Sequence, residues 1–163
     1  MLDETLQGAA ECLPMHEFFL KLPHASDIQD SSGKRFVVDV FAGEKTITVA
    51  AVLTEHPVVV PWDIQHGERY NVLTRGSELM SLARQGRVSW AHAATPCQSN
   101  TWGRSPQLRT EEHLYDGCPG IGKRQSDMVQ AGTALVLWTC EFLTEVHASG
   151  GYASLENPVH SWI

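Results

Sequence analysis

The run Arg35-Phe-Val-Val-Asp-Val-Phe41 limits what this chain can fold into more than any other segment. It is built almost entirely of β-branched and aromatic residues and stops at Ala42-Gly43. A continuous apolar run of this kind is the pattern of a strand buried on both faces, as in a parallel sheet, and not of a half-exposed strand with alternating polarity.

Helix-like and strand-like segments alternate beyond Gly43. Thr46 to Thr54 reads as a helix, and Val58-Val59-Val60 as a second short strand stopped by Pro61. Ser77 to Gln85 reads as a helix with Ser77 as its N-cap and Gly86 at its end. Val88 to Ala94 is a third strand, running into Thr95-Pro96-Cys97-Gln98. A polar loop leads to the clearest helix, with Ser126 as cap and Met128, Leu135, Trp138, Phe142 and Val146 on one face. Gly150-Gly151 ends it, and Tyr152 to Leu155 is a fourth strand entering Glu156-Asn157-Pro158. Such alternation predicts an α/β fold with a doubly wound, mostly parallel sheet. Residues 35–163 form this domain. Residues 1–34 read as an N-terminal arm or linker, with one apolar patch (Phe18, Phe19, Leu20 and Leu22) able to dock on it.

The 163 residues suit one core. Cys12, Cys97, Cys118 and Cys140 form no C-x-x-C pair and match no zinc or disulfide framework. No signal-like or membrane-length apolar segment is visible, so a soluble intracellular protein in a reducing compartment, with no membrane partner, is expected. A formal charge of −7 argues against strong nonspecific DNA binding, which needs clustered Lys and Arg.

Ligands of doubly wound sheets sit outside the carboxyl ends of the strands. Three segments fall there: Phe41-Ala42-Gly43, Pro96-Cys97-Gln98 and Glu156-Asn157. A glycine at a strand end lets backbone approach a cofactor, though many α/β turns carry one for packing. Trp62-Asp63 offers an aromatic face and a carboxylate after the second strand, or a Trp capping the core edge. Cys97 sits in a polar loop where a thiolate can act as nucleophile, and a half-buried Glu156 could hold a proton to donate.

In this order D39-V-F-A-G43, P96-C-Q98 and E156-N157 resemble the DNA cytosine-5 methyltransferase family over roughly residues 35 to 160. The resemblance implies a Rossmann-like S-adenosylmethionine-dependent methyltransferase fold, incomplete at the C-terminal edge. It implies S-adenosyl-L-methionine as cofactor, held by Phe41, Ala42, Gly43, Trp62, Asp63, Asn71 and Pro96. A flipped cytosine in DNA would be the substrate, contacted by Gln98, Ser99 and Thr101. Cys97 would attack C6, Glu156 would bond to N3, and Asn157 would position the loop; C5 then takes the methyl group.

The chain departs from the family pattern at several points. Glu44-Lys45-Thr46 replaces further glycine, so that side chains could crowd the methionine part of the cofactor. Pro61 stands where an acidic ribose ligand is expected, Asn71 replaces an aspartate, and Asn100-Thr101 replaces Phe-Ser. The later strands, the arginine-bearing segment and the target recognition region have no counterpart, so a partner protein would supply recognition. A degenerate or truncated methyltransferase fold acting as a non-catalytic binding or structural module is the alternative. A metal or Cys–His hydrolytic site using His92, Cys97, His113 or Cys118 is a third reading, without recognisable ligand spacing.

Overall fold

A computed structural model describes Phe19, residues 21–28, 33–101 and 105–157, and Ser161. Strand β1 (Phe36–Val40) lies beside β2 (Val88–Ala93), and β2 beside β3 (Tyr152–Leu155), in a small open parallel sheet of order β1-β2-β3. Every residue of β1 is buried, as its largely apolar run predicts, Asp39 included. The chain is thus mixed α/β, with helices α1 (Thr46–Leu53), α2 (Val72–Arg75), α3 (Ser77–Arg84) and α4 (Lys123–Ala148) between the strands.

The expected strand at 58–60 is reduced to two parallel bridges on the free edge of β1, Val37 to Val58 and Val40 to Trp62. Pro61 is the physical reason, because it has no N–H to give to a ladder. Val59 N donates to Val37 O at 3.2 Å and Trp62 N to Asp39 O at 2.9 Å. Three residues therefore advance on this segment against two on β1, which is a bulge. The N–H of Val60 turns away to Pro23 O at 2.9 Å, tying residues near Leu22 to the sheet edge. Phe19, Leu22 and Ala25 are buried with the main core. Phe18, Leu20 and Cys12 lie outside the described residues, as does Pro158.

Neither serine expected to cap a helix does so. Ser77 is the first residue of α3, and Gly76, in right-handed helical conformation, carries α2 almost directly into it. With no free helix start there is little for a serine side chain to cap. Gly76 is required by packing, since a Cβ there would lie 2.5 Å from Trp138 Nε1. Helix α4 begins at Lys123, and Gln125 Oε1 accepts the Gly122 N–H at 3.0 Å. Ser126 therefore lies inside the helix. Phe142 and Val146 are fully buried as expected, joined by Val129, Gly132 and Thr139, while Leu135 and Trp138 pack partly on the core. Among the described residues no helix is long and apolar enough to cross a membrane.

Candidate functional site

The carboxyl ends of the strands align in one transverse row. Trp62 pairs with Val40, Val40 with Ala93, and Ala93 with Leu155. Phe41–Gly43, Asp63, Pro96-Cys97-Gln98 and Glu156-Asn157 all come within five residues after that row, on loops whose roots are separated by inter-strand spacings of about 4.8 Å. The Glu156 N–H still belongs to the sheet, donating to Ala93 O at 2.9 Å, so its side chain starts beside the loop bearing Cys97.

The glycine turn is locked to the neighbouring segment. Phe41 and Ala42 both donate N–H groups to Trp62 O, at 2.6 and 3.3 Å. Gly43 has φ +45°, and its N–H donates to Asp63 Oδ2 at 3.0 Å. Among the described residues nothing lies within 4 Å of the position a Cβ would take at Gly43, which leaves this backbone open to a ligand on their side. Lys45 does not fill that space: its Nζ lies over the ring of Phe19, 5.3 Å from the centroid.

The adenosine-side expectations fare differently. Trp62 is 1% exposed and meets Tyr70 edge-on, so it is a core residue and offers no free face to an adenine. Asp63 accepts the N–H of Gln65 at 2.9 Å as well as that of Gly43, which leaves each oxygen one further acceptor direction. Asn71 caps α2 by accepting the Leu73 N–H at 3.0 Å and donates Nδ2 to Glu68 at 2.7 Å. It serves the local turn.

The Cys97 loop is anchored from below. Pro96 and Gln98 are exposed, Cys97 is half-buried, and the Asn100 N–H closes the turn on Cys97 O at 2.8 Å. Ser99, expected to touch substrate, is 3% exposed and turned inward. Its carbonyl accepts from Arg109 Nε at 3.1 Å and its Oγ from Arg109 Nη2 at 3.2 Å. Arg109 also donates to Val129 O at 2.6 Å, to Thr133 Oγ1 at 2.9 Å and to Leu114 O. Arg109 is 3% exposed, these acceptors are all neutral, and burial lowers its pKa. Thr101 is half-buried and bridges antiparallel to Ser161.

Glu156 is not in the half-buried pocket expected of it, since 72% of its side chain is exposed. It faces His92, with Oε2 3.8 Å from Nε2. Asn157 beside it is half-buried. Next to His92 in β1 lies Asp39, 3% exposed, whose carboxylate accepts the Thr48 N–H at 3.1 Å and the Thr48 hydroxyl at 2.9 Å. Burial raises the Asp39 pKa; the Thr48 hydrogen bonds and His92 oppose that rise.

Asp39, His92 and Arg109 thus join the site's framework. Asp39 was detectable as the one acid inside an apolar strand. Arg109 sits in an irregular polar loop and had no signal. Among the described residues no group of three or more His, Cys, Asp or Glu side chains could hold a metal ion, so nothing gathers His92, Cys97, His113 and Cys118 into one. A groove of about 480 Å³ lined in part by Val72, Met80 and Trp138 lies in the helix layer, not at the strand ends.

No protein-family model, curated protein or solved structure matches this chain.

Proposed function

We propose that the chain is an S-adenosylmethionine-dependent methyltransferase that modifies C5 of cytosine in DNA through Cys97. The observation that carries this reading is the row Trp62–Val40–Ala93–Leu155, because the glycine turn, the thiol and the carboxyl all emerge just beyond it. The chain passes from β1 to the bulged 58–62 segment on one of its edges and then crosses to β2 on the other. A change of direction of this kind is what a doubly wound sheet has at its ligand-binding switch point, which supports a Rossmann-like reading of the fold.

The residues fit the cofactor at its methionine end. Gly43 leaves open backbone, and Asp63 retains acceptor directions for a hydroxyl or amine. When bound, S-adenosylmethionine supplies an electrophilic methyl group. Cys97 adds its sulfur to C6 of the base, which makes C5 nucleophilic. Glu156 bonds to N3 and keeps negative charge from accumulating on the ring. Arg109 holds Ser99, two residues from Cys97, and so fixes the loop from which the thiol acts.

Many described cations are already engaged. Arg75 pairs with Glu78, Arg84 with Glu141 and Glu145, and Lys123 with Asp127. Phosphate contacts therefore fall to a partner protein in this reading. The second reading, a non-catalytic module on the same fold, is favoured by the burial of Trp62 and the engagement of Asn71.

Titration calorimetry with S-adenosylmethionine separates the two. Saturable binding that weakens in Gly43→Ala and Asp63→Asn supports the enzyme. A folded protein that takes up no cofactor leaves only the module.

A further inference from the structure

Exposure deprives Glu156 of an apolar enclosure, so a different group must manage its proton. The group in place is His92. Its side chain is 14% exposed, and its Nδ1 lies 3.0 Å from Ser154 Oγ. That same oxygen accepts from Trp90 Nε1 at 3.0 Å. The arrangement is set by register, since Trp90 pairs with Tyr152 and His92 with Ser154. The ring is therefore held from one side while Nε2 faces Glu156 Oε2 at 3.8 Å.

Ser154 has one hydroxyl proton and two acceptors for it, His92 Nδ1 and Ala91 O at 3.5 Å. If Ser154 donates to Nδ1, the neutral ring carries its proton on Nε2, facing Glu156. If Nδ1–H donates to Ser154, the hydroxyl turns to Ala91 O. Nε2 is then either protonated or able to accept from a protonated Glu156. Each arrangement keeps one proton between Nε2 and Oε2.

We propose that His92 is the positioning residue of Glu156, directing its carboxyl and exchanging a proton with it. The proposal rests on the reading of Glu156 as the N3 partner. In the forward step the shared proton passes from His92 Nε2 to Glu156 and from Glu156 to N3, leaving an ionised carboxylate and a neutral imidazole with Nδ1–H on Ser154. When the adduct collapses, Glu156 takes the proton back from N3 and returns it to Nε2, so no proton is gained or lost. The charged groups facing the ring among the described residues are Glu156, just after β3, and Asp39 from β1, with Asp63 behind Asp39.

The test tracks the His92 ring resonances of the full chain by NMR against pH, in wild type, Glu156→Gln and Ser154→Ala, with His92→Gln for assignment. Removing the carboxylate should move the His92 Nε2 and Hε1 resonances. Ser154→Ala should change the ring tautomer. His92 ring resonances unmoved in Glu156→Gln overturn the pairing whether or not the protein is an enzyme. Covalent capture of 5-fluorocytosine DNA supplies the second arm. There His92→Gln should slow adduct formation and displace its pH profile, and an unchanged profile overturns the proton exchange. Wild-type protein that captures no DNA refutes the methyltransferase reading instead, and the NMR resonances then decide the pairing alone.

Discussion

Gly132 of α4 and Ser99 of the Cys97 loop touch so closely that a Cβ at position 132 would lie 2.1 Å from Ser99 Oγ. The same Cβ would come within 3.2 Å of Arg109 Nη2. Alanine favours a helix over glycine by about 1 kcal/mol, but a buried serine has no room to retreat. The overlap should win, at a net cost of about 1–3 kcal/mol. Chemical denaturation of Gly132→Ala measures it, and adding Ser99→Ala should recover most of the loss. A Gly132→Ala protein as stable as wild type would show that the loop is not seated against α4.

Arg109→Met should be more damaging. It leaves the buried carbonyls of Ser99 and Val129, and the part-buried one of Leu114, without this donor. Each abandoned acceptor costs about 1–3 kcal/mol, so a total loss of at least about 3 kcal/mol is expected. The Cys97 thiol should also become easier to alkylate as its loop loosens. Equal alkylation rates in variant and wild type, both folded, would count against an anchoring role for Arg109.

Asp39 gives a pH signature of defined sign. Its pKa is higher folded than unfolded, so folding favours the protonated carboxyl. The associated stability is present below the unfolded value and is lost as pH rises through the folded one. Asp39→Asn keeps an oxygen for the Thr48 bonds but does not ionise. Its stability relative to wild type should therefore grow as pH is raised from about 4 toward neutrality. Urea midpoints across that range provide the check, and a pH-independent difference would contradict the buried-acid account.

Trp62 and Gly43 should respond in opposite ways. Trp62→Ala empties a fully buried site and should cost about 3–5 kcal/mol, so any effect on cofactor binding would be inseparable from unfolding. Gly43→Ala places a Cβ in open space at φ +45°, with backbone strain of about 1–2 kcal/mol. It should fold and bind cofactor poorly. Calorimetry on both variants tests the contrast, and undiminished binding in Gly43→Ala would remove the turn from the site.

The sheet was legible because β1 is a largely apolar run and β2 and β3 are short segments bounded by glycines and by polar turns, and their common edge comes from parallel geometry. The bulge at Val60-Pro61 was not, since it depends on which N–H the ladder can use. Nor were the caps: Ser77 and Ser126 look right in sequence but lie inside helices. At the site, Cys97, Gly43 and Glu156 were visible as residue types at strand ends. The inward turn of Ser99 was invisible because its cause, Arg109, lies in a loop without periodicity. Trp62 is ambiguous in sequence, as aromatic residues suit a core edge and a ligand face equally.

Incubation of the full chain with S-adenosylmethionine and 5-fluorocytosine DNA, then denaturing electrophoresis, tests the central claim most directly. A covalent protein–DNA species in wild type, absent in Cys97→Ser and reduced in Glu156→Gln, is the predicted result. Folded, cofactor-bound wild-type protein that forms no such species, or an adduct that persists in Cys97→Ser, would contradict the claim.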